Sequence, residues 1–325
     1  MRRTQHGALL IVLMGAFSDF SNGQATPDRV PGQGHGLDVS PHQLTVLLEM
    51  ANKGNSRAQW SLGNAYRDGI GVPQDYREAV RWYSSAAAQN LAAAQLALGY
   101  LYEYGKGVRR NYREAFRLYE AAALQGNTAA ASNLGSMYQS GRATSKNMAQ
   151  ALHWYIVSAQ GGNHLAQCNL AWIYLRGIGV HRDREQALWW LRTAAVQGFA
   201  PAQNFLASMY YKGDGIGRDY EEAARWARRA ADQGYPPAQE NLAFMFEQGT
   251  GVSLDYVAAY AWYSAAAAAG RRQSRDRVQN LVKIMTPEQL RAAKALERAQ
   301  QVEQHKARDL ERSPDSGSLS FLPDW

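Results

Sequence analysis

Residues 69–90 read GIGVPQDYREAVRWYSSAAAQN, a glycine-punctuated loop followed by one amphipathic helix, and nearly the same sentence returns at residues 105–126 as GKGVRRNYREAFRLYEAAALQG. A phrase repeated at a spacing of 36 residues is either duplicated scaffold or duplicated chemistry. Stepping outward at that spacing decides the matter. Ala58, Ala94, Ala130, Ala166, Ala202 and Ala238 form one column, and Leu62, Leu98, Leu134, Leu170, Leu206 and Leu242 a second. Gly69, Gly105, Gly141, Gly177, Gly213 and Gly249 form a third, and Ala79, Ala115, Ala151, Ala187, Ala223 and Ala259 a fourth. None has an exception, so six copies run in phase.

Every column has a mechanical role. Ala58, Leu62 and Tyr66 stand at i, i+4 and i+8, one stripe of a first helix (helix A), and Gly63 beside them admits a close neighbour. Gly69 suits the left-handed residue just past a helix end, and Gly71 keeps the turn short. Asp75 is placed to cap a second helix (helix B), a slot filled afterwards by Asn111, Asn147, Asp183, Asp219 and Asp255. Glu78, echoed by Glu114, Gln150, Gln186 and Glu222, is expected to complete a capping box. Ala79, Trp82, Tyr83, Ala86 and Ala87 then give helix B an apolar face. The column Trp82, Leu118, Trp154, Trp190, Trp226 and Trp262 is expected to fill space between units. A phosphate cradle is excluded for the loop glycines, because no strand precedes them and the Lys-Ser/Thr of a P-loop is missing. The repetition is scaffold: each two-helix unit has a face that only its neighbour can bury.

The pattern A-x-x-x-L-G-x-x-Y, then G-x-G-V, then D-Y-x-x-A-x-x-W-Y-x-x-A-A-x-Q-G resembles the Sel-one-like repeat, a relative of the tetratricopeptide repeat. The resemblance implies an all-α protein, a right-handed α/α superhelical solenoid of six 36-residue helix-turn-helix repeats over residues 57–270, with helical caps. It also implies an adaptor for protein partners, often in the bacterial envelope: a sensor kinase, a polysaccharide export complex or a peptidoglycan-associated machine. Two departures from the pattern are Ala143-Thr144 in place of Gly-Val and Ala227 in the slot of Tyr83. Some cysteine-rich members of the family are linked to β-lactam binding or hydrolysis. They carry a cysteine pair per unit, whereas this chain has one cysteine, Cys168, and no Lys-Thr-Gly element to accompany a catalytic serine.

The ends differ from the repeats. Arg2 and Arg3 precede an apolar run from Ala8 to Phe17, and Gly23-Gln24-Ala25 offers a cleavage site, so residues 1–25 read as a signal peptide and the mature chain as periplasmic or secreted. An uncleaved anchor is the alternative. No apolar stretch of eighteen or more residues follows that would span a membrane after processing. Residues 26–40 read as a flexible leader, 41–56 as a half-repeat cap equivalent to helix B, and 313–325 as a disordered tail whose Phe-Leu-Pro-Asp-Trp end is a candidate docking motif. Residues 271–312 read as a basic helical cap, with eleven Lys/Arg against six Asp/Glu. Val278, Leu281, Val282 and Met285 would form the apolar stripe of its first helix, and Thr286 with Gln289 would open its second through a capping box. This cap could touch an anionic surface weakly. A net charge of +7 is too mild to argue nucleic-acid binding.

No cofactor, metal or catalytic group is expected. His164 and Cys168 stand four apart, but two groups do not make a metal site, and Glu221-Glu222 suit the first turn of a helix without further purpose. What remains is a surface for a protein or peptide of unknown identity. Repeating positions are taken up by packing, so the variable positions of helix A are the candidates for a concave binding face. These are Trp60, Asn64 and Arg67 in the first unit, Tyr100 and Tyr104 in the second, and Trp172 and Arg176 in the fourth. Tyr211 and Lys212 follow in the fifth and Phe244 in the sixth. Aromatic and arginine side chains are the usual anchors of interfaces. Trp172 and Phe244 could instead simply pack on the next helix.

Overall fold

A computed structural model describes residues 41–312, in fifteen α-helices and no strand among the described residues. They are α1 (Pro41–Asn52), α2 (Ser56–Asp68), α3 (Tyr76–Ala88), α4 (Ala92–Tyr104), α5 (Tyr112–Leu124), α6 (Thr128–Ser140), α7 (Met148–Gln160) and α8 (His164–Arg176). Next come α9 (Arg184–Val196), α10 (Ala200–Lys212), α11 (Tyr220–Asp232), α12 (Pro236–Gln248), α13 (Tyr256–Ala268), α14 (Arg272–Ile284) and α15 (Pro287–Arg312). The described chain divides into two compact units at residues 187 and 188. The expected signal peptide, leader and tail lie outside the described residues.

Local chemistry sets the helix bounds. Each helix A ends on its column glycine in the left-handed region, with φ from 65° at Gly249 to 73° at Gly141, and the glycine N–H closes the last turn. Each helix B described at its start opens on an Asp or Asn side chain; Asp75 accepts from the N–H groups of Arg77 and Glu78 at 2.8 and 3.2 Å. The expected capping box is not completed. The Asp75 N–H, which Glu78 would have to receive, already donates to the Tyr66 carbonyl at 2.8 Å, and the same staple recurs from Asn111 to Tyr102 and from Asp255 to Phe246. Glu78 turns instead to Arg81 at 3.4 Å. At α15 the reciprocal pair does form: the Thr286 N–H donates to Gln289 Oε1 at 2.9 Å and the Gln289 N–H to Thr286 Oγ1 at 3.2 Å.

Helix B buries its stripe as expected, with Tyr83, Tyr119, Tyr155 and Tyr263 among the largest fully buried side chains. Gly63, Gly99 and Gly135 make room for the first three of these rings: a Cβ at Gly99 would stand 2.8 Å from the Tyr119 ring. The tryptophan column is uneven. Trp82, Trp190 and Trp262 are buried, while Trp154 and Trp226 are only half-buried. A second column lies across the helices. Buried Gln59 donates to the Ala51 carbonyl at 3.1 Å and accepts from Gln89 at 2.8 Å, tying α1, α2 and α3 together. Gln203 does the same between Ala195 and Gln233 at 3.0 and 2.7 Å. In the third repeat, where Ala131 and Gly161 occupy these slots, Ser158 Oγ donates to the Thr128 carbonyl at 2.7 Å.

At the ends, α1 lays Leu44, Leu47, Leu48 and Ala51 on Ala58, Leu62 and Trp82. Leu281, Met285 and Ala293 of the C-terminal helices join the core of the last repeats. Val282 does not belong to that stripe. It is 42% exposed, because Leu281 and Met285, four apart, define the buried line and Val282 is turned about 100° from it.

Candidate protein-binding surface

The ten candidate positions fall into three groups by what their side chains already do. In the first repeat they are engaged internally. Trp60 is half-buried on the cluster around Ala79, Tyr83 and Leu98. Asn64 Oδ1 accepts the Tyr83 hydroxyl at 2.7 Å, and Arg67 makes two hydrogen bonds to Asp68, at 2.8 and 2.6 Å. Asn64 thus serves the core rather than offering a free amide.

The second repeat presents a pair of tyrosines and the fourth a tryptophan under an arginine. The rings of Tyr100 and Tyr104 meet at a tilt of 39° with centroids 4.6 Å apart, Tyr104 exposed and Tyr100 half-buried. Partial burial, with Glu103 beside it, pushes the Tyr104 phenol up to about 12. Trp172 is half-buried beneath the guanidinium of exposed Arg176, 4.4 Å from the ring centroid. These four residues belong to the same compact unit, at the C-terminal ends of α4 and α8.

In the unit spanning 188–312, Tyr211 and Phe244 are half-buried against the core and Lys212 is exposed. Tyr211 meets the ring of Tyr220 edge-on at 5.1 Å. With Ala207, Ser208, Asn241 and Met245, Tyr211 and Phe244 line a shallow dimple over Ala227 with a cavity of about 20 Å³. That volume admits roughly one water. The dimple exists because Ala227 stands where four other repeats carry the large tyrosine ring and the fourth repeat carries Leu191. Asn241 Nδ2, at its wall, donates to Asn204 Oδ1 at 2.8 Å, while Asn241 Oδ1 is buried without a hydrogen-bond partner among the described residues.

Several residues outside the ten support or flank these positions. Tyr119 donates its hydroxyl to Glu103 at 2.8 Å, and Glu103 also takes Arg142 at 3.0 Å. Lys106 Nζ lies 5.4 Å from the centroids of both Tyr76 and Tyr100. The one sequence signal for Glu103 was its place in a column, Arg67, Glu103, Gln139 and Glu247, that stays mostly polar beside the buried tyrosines. Tyr155 and Tyr263 use it in the same way, donating to Gln139 and Glu247 at 2.8 Å.

Cys168 is buried, and desolvation pushes its thiol well up, away from the reactive thiolate. No group of three or more His, Cys, Asp or Glu able to hold a metal occurs among the described residues. No described helix is long and apolar enough to cross a membrane.

Comparison with known proteins settles the family. The Sel1 repeat model matches six consecutive segments, residues 56–91, 92–127, 128–163, 164–199, 200–235 and 236–270. The chain belongs to the Sel1 repeat family. A crystal structure of a Sel1 repeat protein from Oxalobacter formigenes is 28% identical, with a TM-score of 0.64, over 78% of this chain and 96% of that one. The structure of c5321, a protective antigen of uropathogenic Escherichia coli with an SLR fold, is 26% identical with a TM-score of 0.42, over 98% of this chain and 88% of that one. The immunity protein Pa5087 of Pseudomonas aeruginosa is 22% identical with a TM-score of 0.46, over 65% and 80% of the two chains. No curated protein matches. The Sel1 solenoid is an architecture typical of protein-interaction scaffolds.

Proposed function

We propose that this Sel1 protein is a non-enzymatic, exported scaffold that binds a protein partner along the concave face formed by its helices A. The observation that carries the reading is the placement of Tyr100, Tyr104, Trp172 and Arg176: aromatic and cationic, half-buried or exposed, and outside the columns that build the repeats. Such side chains anchor interfaces, where truncating one to alanine costs about 2 kcal/mol or more. The first repeat supports the partner surface indirectly, since its candidates are tied to Tyr83 and Asp68. Export with cleavage after Ala25 is part of the same proposal, and places the single buried thiol in an oxidising compartment where it cannot mispair.

The test is crosslinking in cells followed by mass spectrometry, comparing the native chain with Tyr100→Ala, Trp172→Ala, Arg176→Ala. A crosslinked partner is expected for the native chain and lost in the triple variant, with helicity unchanged. Retention of that partner by the well-folded variant sinks the concave-face reading. Fractionation of the same cells checks export, and an unprocessed chain held in the cytoplasm contradicts it.

A further inference from the structure

We infer that the loop edge of the second and third repeats is a docking surface for an acidic peptide segment of a protein partner, an inference that rests on the scaffold reading above. Its origin is charge. Residues 106–182 contain nine Lys/Arg against two Asp/Glu, and no acid lies between Glu120 and Asp183. One of the two, Glu114, is bonded to Arg117. Glu103, just before this stretch, is bonded to Arg142 at 3.0 Å. Arg109, Arg110, Arg113 and Lys146 are exposed and, among the described residues, make no ion pair.

Of these four, Arg110 is held by an aromatic ring, as are the neighbouring cations Lys106 and Arg142. The Arg110 guanidinium stands 5.4 Å from the Tyr112 centroid and Lys106 bridges Tyr76 and Tyr100, while Arg142, 5.7 Å from the Tyr112 centroid, is already neutralised by Glu103. A ring face holds a cation without cancelling its charge, so side-chain freedom is restricted before a partner arrives and the field stays directed outward. The C-terminal cap is the counterexample. Its Arg271 and Arg277 are bonded to Glu240 and Glu247, which neutralises two of the charges that made it look basic.

The same rings argue for a peptide over a nucleic acid. Binders of single strands stack bases on open aromatic faces. Here the faces of Tyr76, Tyr100 and Tyr112 are covered by cations, and exposed Tyr104 adjoins them as an apolar contact at the edge. Charges at such an edge steer and select an acidic segment while the aromatic pair anchors it.

The experiment uses the purified chain and a fluorescein-labelled peptide of alternating Glu and Gly, read by fluorescence anisotropy. Binding is expected at low salt and is expected to vanish near 1 M salt, where the screening length falls to about 3 Å. Arg109→Ser, Arg110→Ser, Lys146→Ser should weaken it about tenfold. Arg272→Ser, Arg275→Ser, Lys283→Ser removes the same charge from the cap and should leave affinity unchanged. Equal losses in the two triple variants, or displacement of the peptide by oligothymidylate at lower concentration than by unlabelled peptide, overturns the proposal. Absence of peptide binding while the Tyr100, Trp172 and Arg176-dependent crosslink persists removes the acidic edge alone. Loss of both removes the scaffold reading with it.

Discussion

The second and fifth repeats share a backbone period and fill it in opposite ways. In the second, Gly99 faces the Tyr119 ring, and the buried hydroxyl reaches Glu103, which in turn holds Arg142 of the following loop. In the fifth, Ala207 and Ala227 occupy the equivalent slots, the ring is gone, and a dimple opens that Tyr211, Phe244 and the Asn204–Asn241 pair partly close. A repeat can therefore lose its largest core side chain and keep its helices. The difference teaches that the columns specify helix spacing, whereas the contents of the gap between helices are settled repeat by repeat. It also separates two surfaces, one with its polar network tied into the core and one with an apolar hollow.

The strongest way to break this comparison is to hollow the second repeat. Tyr119→Ala should cost about 3–5 kcal/mol, since it leaves a cavity and deprives Glu103 of its hydroxyl donor. Ala227→Val, which only fills existing space, should change stability by about 1 kcal/mol or less in either direction. Urea midpoints for the two variants check this, and a Tyr119→Ala cost as small as that of Ala227→Val would show that the ring is dispensable in both repeats.

Alkaline pH sharpens the comparison next. Burial, the largest cause, raises the phenols of Tyr83, Tyr119, Tyr155 and Tyr263 above the ordinary value of 10.0, and Glu103 and Glu247 add to it at Tyr119 and Tyr263. A folded-state value above the unfolded one means that the stability is fully present below pH 10 and is lost as pH rises through the folded values. The slope is up to about 1.4 kcal/mol per pH unit for each such tyrosine. Tyrosinate absorbance should therefore rise together with loss of helicity. If these rings ionise near pH 10 with the helices intact, they are not sealed in the core.

The smallest effect concerns the loop after α6. Ala143 adopts φ 68°, the left-handed conformation that glycine holds at the same slot elsewhere. Ala143→Gly should stabilise by about 0.5–1 kcal/mol, the relief of strain exceeding the added chain entropy. Gly107→Ala should do the reverse and more strongly, because its Cβ would strike the backbone of Tyr76. A raised melting temperature for the first and a lowered one for the second check the pair.

Periodicity alone determined most of the architecture of this protein. Alanine, leucine and glycine columns at 36 residues specify helix lengths, turn positions and close contacts, because each is a local or nearest-neighbour constraint that recurs wherever the residue recurs. The helix-B caps were legible for the same reason. The unfinished capping boxes were not: whether the Asp75 N–H waits for Glu78 or meets the Tyr66 carbonyl depends on how the turn closes in space. The glutamine ties, the Glu103 network and the seating of Lys106 on Tyr76 and of Arg142 on Tyr112 were equally hidden, since their partners stand far apart in the sequence. Among the candidate site residues, sequence could say that Asn64 and Trp172 escape the repeat. Only the tertiary structure could assign Asn64 to a core tyrosine and set Trp172 under Arg176, because the use of a polar or aromatic side chain depends on what three-dimensional packing puts within its reach.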